Sequence, residues 1–340
     1  MLARLIDALR RLFRIFGLGS SIEPVERETV APPVAPTPDL GRPGPTPPAP
    51  PPSPPAEGVL ALPQLMAVAG EFPPHAGGVP PAGFTLGMIQ SFAGRGGAFE
   101  APAADGRLVS VSTNQPLMAV IGLTYGGDGI HLALPDLTGR TPIGGRQLGI
   151  MGQQSLTLTY LIATEATSGA PVLGMVVAFG GNYAPAGWAA ADGSMLPISA
   201  NVPLYHVIGQ TFGGNAVAFN LPDLDGFAAI GAGAAPGLPP VALGGRVGAP
   251  VPALGLNYLI NIDGAAPTGG GGAFPQFAGW LGQVIAYAGS QLPAGWALCD
   301  GSLLAVAQYP ALFELIGTTW GGGGDAFALP DLRGRILLGS

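Results

Sequence analysis

The chain has 340 residues, and Gly at 57 and Pro at 38 exceed a quarter of it while 48% of residues are hydrophobic. That combination excludes a disordered polar chain and fits a turn-rich fold with a buried interior. A net charge of −7 argues against nucleic acid, whose phosphates need clustered Lys and Arg, and the single cysteine, Cys299, excludes an intrachain disulfide framework or a thiolate metal site.

Residues 1–19 read as an amphipathic helix. Leu5, Leu9, Leu12, Phe13 and Phe16 fall on one helical face, and Gly17 and Gly19 end it. Asp7, Arg10, Arg11 and Arg14 interrupt the apolar run, so neither a signal peptide nor a membrane span is expected. The stripe must dock on something, and three targets fit: a partner protein, a second copy, or an anionic membrane surface. Residues 20–58 form a Pro-rich linker that includes the run PPAPPPSPPAE. Such a segment cannot pack a core, and about 30 residues at ~3.1 Å each span up to ~90 Å.

Beyond the linker the sequence repeats. Residues 87–144 align without a gap to 174–231 and to 282–339. Asp105-Gly106 matches Asp192-Gly193 and Asp300-Gly301, and LPDL recurs with Asp136, Asp223 and Asp331. Each copy carries a short apolar segment with proline near its start (Pro116, Pro203, Pro310) and glycine at its end (Gly122, Gly209, Gly317), the punctuation of a short helix. A Thr-aromatic-Gly-Gly stretch follows (Tyr125, Phe212, Trp320). Ahead of each copy lies a strand pattern beginning at Leu60, Leu156 and Leu254, read as half-exposed at first and then buried. The opening strand of each copy, as in GQVIAYAG from Gly282, is read with its apolar residues on alternating sides. The fold class is β-rich α+β, with strand-plus-repeat units at 59–148, 149–245 and 246–340.

These recurrent residues have structural explanations. Asp-Gly is read as a hairpin turn, because glycine accepts positive φ. The LPDL aspartate is read as a cap for nearby backbone N–H groups. Acid–base catalysis by the recurrent aspartates is the weaker alternative. The three histidines occupy unrelated positions, so they form no symmetric metal site, and Cys299 stands where the other copies have Ala104 and Ala191. No metal or cofactor is expected. Trp188, Trp296 and Trp320 are core residues on the simplest reading and a sugar-stacking surface on the sharper one.

The stretch PAGWALCDGSLLAVAQYPALFELIGTTWGGGGDAFALPDLRGRILLG resembles the phage tail collar domain. The third copy carries Gly295, Trp296, Cys299, Asp300, Gly301, Phe313, Gly317 and LPDLRGR from Leu329. The second keeps Gly187, Trp188 and LPDL but has Phe227 in place of arginine, and the first has Ala101 at the tryptophan position. The resemblance implies a structural or host-attaching part of a virion tail or extracellular appendage. In that reading the N-terminal helix meets a baseplate or appendage protein, and the head meets a host-surface glycan or protein. A filament protein assembled by strand exchange is the rival, and a glycan-degrading enzyme a distant third. Tail-fibre parts of this kind usually work as homotrimers, so three copies in one chain can supply all three positions of a threefold head; beads in line are the simpler alternative.

Overall fold

The computed structural model describes residues 58–67, 85–94, 103–145, 149–150, 155–165, 172–248, 251–261, 263 and 281–340. They belong to the second of two compact units, 1–47 and 48–340. The helix assigned to Leu5, Leu9, Leu12, Phe13 and Phe16 and most of the Pro-rich linker lie outside the described residues.

Three strands or strand pairs lead the copies: β1 (Val59–Leu62) with β2 (Gln64–Met66), β8 (Ser155–Ala163) and β15 (Ala253–Asn261). Three others close them: β6 (Thr141–Gly144), β13 (Ala228–Gly231) and β21 (Ile336–Gly339). The closing strand of each copy pairs in parallel with the leading strand of the next. Thr141 faces Ser155 and Ala228 faces Ala253. The last closing strand returns to the first leading strand, with Ile336 facing Val59 and Gly339 facing Leu62. The three copies therefore form a closed ring with a pseudo-threefold axis. Pairing the chain's last strand with its first also covers backbone edges that would otherwise recruit other strands.

The opening strands β3 (Met88–Phe92), β9 (Met175–Phe179) and β16 (Gln283–Tyr287) surround the axis. Each pairs antiparallel with its own leading strand and with both other opening strands, through Met88↔Phe179, Met175↔Tyr287 and Gln283↔Phe92. All five residues of each are buried. This corrects the alternating pattern read from the sequence: strands bonded on both sides and covered on both faces are buried at every position, mostly by apolar residues, and the polar Gln90, Ser91 and Gln283 among them are hydrogen-bonded to one another or to Gln64. The leading strands depart from expectation likewise. Their first halves are buried in β8 and β15, because the preceding copy's closing strand covers them. In the first copy the leading strand breaks at Pro63, which has no N–H for the ladder.

Around this centre each copy adds a peripheral ribbon and a helix. The ribbons join β4 (Leu108–Ser110) to β5 (His131–Ala133), β11 (Met195–Pro197) to β12 (Ala218–Asn220), and β18 (Leu303–Ala305) to β20 (Ala326–Ala328). The helices are α1 (Gln115–Ile121), α2 (Val202–Ile208) and α3 (Pro310–Ile316). Each buries a leucine and an isoleucine four residues on, such as Leu117 and Ile121. Spacing of four puts both on one face, and burying each side chain stabilises by about 1.5–3 kcal/mol. Every helix ends at glycine with φ near +56° and ψ near −140°, a region essentially confined to glycine.

Closure depends on another glycine, the last residue of each closing strand. A Cβ at Gly144, Gly231 or Gly339 would lie 2.1, 1.8 or 2.1 Å from the carbonyl oxygen of Leu224, Leu332 or Leu137 in the next copy. The close approach carries paired backbone bonds. Gly231 N–H donates to Arg335 O at 3.0 Å, and Gly334 N–H donates to Gly231 O at 2.7 Å.

Candidate functional site: the aspartate corners and the exposed ribbon positions

The two recurrent aspartates of each copy lie side by side. Antiparallel bridges join Asp105 to Asp136, Asp192 to Asp223, and Asp300 to Asp331. The Asp-Gly pair is therefore no hairpin turn. It bends the chain from the sheet strand, β10 (Trp188–Ala190) or β17 (Trp296–Leu298), into the ribbon, whose partner strand comes some 20 residues later. In the third corner Gly301 N–H donates to Pro330 O at 3.2 Å and Leu332 N–H to Cys299 O at 2.8 Å. A Cβ on Gly106, Gly193 or Gly301 would meet the facing aspartate's Cβ at 3.0, 3.0 or 3.3 Å. Their φ values of +75°, +74° and +77° add a second reason for glycine.

Each aspartate turns its own backbone. Oδ1 of Asp136, Asp300 and Asp331 accepts the N–H two residues on, from Thr138, Ser302 and Arg333 at 3.0–3.2 Å. Two carboxylates so close need cations. Arg107 caps Asp105, Arg140 caps Asp136, and Arg333 grips Asp331 through Nε and Nη2, both at 3.0 Å. Arg335, only 2% exposed, donates Nη1 to Asp331 O at 2.9 Å. The Arg107 bond holds the Asp105 carboxyl below its ordinary value; around Asp136 and Asp331 burial pulls upward, but the arginine and backbone bonds outweigh it. Such groups remain charged at neutral pH and are poor proton donors. The acids thus hold turns.

The second copy has Phe227 at the arginine position, and the structure supplies a substitute that the sequence reading missed. Arg246, in β14 (Arg246–Val247), donates Nη2 to Asp223 Oδ2 at 2.6 Å. Its guanidinium also lies 4.6 Å from the centre of the Phe227 ring. The available signal was a lone arginine in the linker after a copy that lacks one.

Trp188 and Trp296 are each 7% exposed within the core, so neither presents a face to a sugar; the sugar-stacking reading is corrected for both. Trp320 is half-buried, and its Nε1 donates to Ala93 O of the first copy at 3.1 Å. Tyr125 takes the same place one copy on, with Oη donating to Gly180 O at 2.9 Å. In two of the three copies the recurrent aromatic thus ties neighbouring copies together; the second has Phe212, which has no such donor. Cys299 is buried, and burial, with the Asp300 and Asp331 charges, pushes its thiol well up. His131 pairs with Asp128 at 3.2 Å on the surface, while His75 lies outside the described residues. Among the described residues no three His, Cys, Asp or Glu side chains gather as metal ligands.

One recurrence points outward. Leu108, Met195 and Leu303 occupy the same position in the three ribbons and are 59%, 55% and 64% exposed. Ile130 and Val217, also equivalent, are exposed nearby in sequence to the first two ribbons' second strands. The position is thus solvent-facing, large and apolar in all three diverged copies.

Among the described residues no helix is long and apolar enough to cross a membrane. No curated protein and no solved structure matches the chain. Residues 87–142, 174–228 and 282–337 each match the family model of the Phage Tail Collar Domain. With a triplicated unit in the sequence and in the ring, the chain carries three phage tail collar domains in tandem.

Proposed function

We propose that the protein is a non-enzymatic structural and attachment component of a phage tail or tail-like appendage, its ring of collar domains forming the head that meets the host surface. The observation that carries this reading is the triple collar match, joined to an exposed apolar position kept in all three ribbons. The N-terminal helix docks on a baseplate or appendage protein, and the Pro-rich linker spaces the head from it. The head's partner is a host-surface glycan or protein. Strand-exchanged filaments find less support, because the leading strands pair within their own chain. Glycan cleavage finds less as well, because Asp105, Asp136 and Asp331 are held in their charged form.

Two measurements test the proposal. Deleting residues 1–20 leaves the head folded but removes the protein from purified particles; incorporation at wild-type level refutes the docking role. Fluorescently labelled full-length protein binds host cells, and Leu108→Ser, Met195→Ser and Leu303→Ser together weaken that binding. Loss of about 1 kcal/mol at each of three equivalent contacts compounds to a fall of two orders of magnitude. Unchanged binding by a folded triple variant would remove the ribbons from the contact.

A further inference from the structure

The connections between copies differ in one respect that breaks the threefold pattern. Ten residues separate β6 from β8, whereas twenty-one separate β13 from β15. The longer connection folds back on itself, through a Gly233↔Val241 bridge and the β14–β15 pairing. It thereby walls a cleft of about 540 Å³ against the third copy, with Ala234, Val241 and Leu243 on one side and Leu298, Asp300 and Arg333 on the other. That size falls within the ~300–1,000 Å³ typical of small-ligand sites.

Two polar groups in this cleft have capacity left over. Arg333 gives Nε and Nη2 to Asp331, and its Nη1 has no partner among the described residues. Asp300 Oδ1 accepts both the N–H and the hydroxyl of Ser302, and among the described residues nothing donates to its Oδ2. In the first copy the matching carboxylate is closed: Arg107 engages both oxygens of Asp105. Serine at 302, where the first copy has Arg107, leaves Asp300 open. Gly233 completes the wall, because a Cβ there would strike the Arg333 stem at 2.8 Å. A donor edge and an acceptor oxygen beside an apolar wall suit a ligand that is both donor and acceptor and has one apolar face. An acidic ligand is disfavoured by Asp300, by Asp331 and by the chain's net charge of −7.

We propose that this cleft binds one neutral pyranose unit of a host-surface glycan. One ring hydroxyl donates to Asp300 Oδ2, a neighbouring hydroxyl accepts from Arg333 Nη1, and the ring's C–H face lies on Val241 and Leu243. The assignment rests on the attachment reading and narrows it to a sugar and a place.

Saturation-transfer NMR on the full chain, with the methyl glycosides of glucose, galactose, mannose and N-acetylglucosamine as probes, tests it. The wild-type protein shows saturable transfer from at least one of the four. Asp300→Asn keeps the Ser302 contacts but loses the acceptor, and weakens binding about tenfold or more. Ala234→Trp, at an exposed position, fills the cleft without touching the arginine pairs and abolishes binding. Asp105→Asn, at the closed corner, leaves it unchanged. No transfer from any of the four to folded wild-type protein overturns the proposal, as does wild-type binding by Ala234→Trp. Host-cell binding is followed in parallel: variants that still bind cells while no glycoside binds sink the cleft alone, whereas wild-type protein that ignores cells sinks the attachment reading.

Discussion

Gly231→Ala tests the ring where it is tightest. The added Cβ would lie 1.8 Å from Leu332 O and 2.5 Å from Leu332 C, and both obstructing atoms are backbone. No rotamer change relieves the clash, so β13 and the LPDL turn of the third copy must separate by more than an ångström. That separation breaks the bonds from Gly231 N–H to Arg335 O and from Gly334 N–H to Gly231 O. Two lost backbone bonds cost about 1 kcal/mol each, and overpacking adds about 1–3 kcal/mol. Restricting the unfolded chain offsets some 0.4–1 kcal/mol. The net loss is about 2–4.6 kcal/mol, a fall in Tm of roughly 4–18 °C for a unit of this size. Gly248→Ala is the control, with open space around its Cβ and no positive φ. Thermal unfolding of both variants by circular dichroism reads the difference. If Gly231→Ala melts within a degree or two of Gly248→Ala, the close approach between copies is not present and the ring is wrong at this joint.

Other outcomes follow from the same geometry. Light scattering of residues 58–340, without the N-terminal helix, gives the mass of one chain, since the leading and closing strands already pair within it; a stable trimer of that fragment would refute closure by a single chain. Arg246→Ala costs less than about 1 kcal/mol, because the pair with Asp223 is half exposed. In a double-mutant cycle with Asp223→Asn that cost falls to the part the Phe227 ring supplies; a coupling of 2 kcal/mol or more would mean a stronger role than substitution for the missing arginine. The carboxyls of Asp105, Asp136 and Asp331 are lowered in the folded state, so their contribution is present above the ordinary carboxyl value near 3.8 and is lost as pH falls through the folded values. Urea midpoints between pH 7 and pH 3 should therefore decline below about pH 4, and less steeply in Arg107→Gln; an equal decline in that variant would remove the Arg107–Asp105 pair from the account. Gly209→Ala, forced to φ +56° and ψ −136°, lowers Tm although its Cβ would meet nothing within 4 Å, and an unchanged Tm would show that the helix end relaxes freely.

Much of the unit was legible because its residues answer to local rules. Proline at the start and glycine at the end of each seven-residue helix, and LPDL with its backbone-capping aspartate, depend only on chain geometry within a few residues. The sequence therefore determined the copy number, the helices and the LPDL turn, along with the family resemblance those residues carry. Tertiary structure decided the rest, for reasons that act across large sequence separations. No local feature tells whether Asp105-Gly106 closes a hairpin or turns a corner, because the answer lies with Asp136, some thirty residues on. The burial of Trp188 and Trp296 depends on strands β8 and β15 laid beside them. Arg246 finds Asp223 only because the long second connection folds back. The ring itself needs Val59 beside Ile336, almost the full length of the collar repeats apart, and the glycines that permit such contacts look in sequence like any other strand-ending glycine. Periodicity records which residues must be buried, but the partner that buries them is fixed only when every strand edge competes for pairing at once.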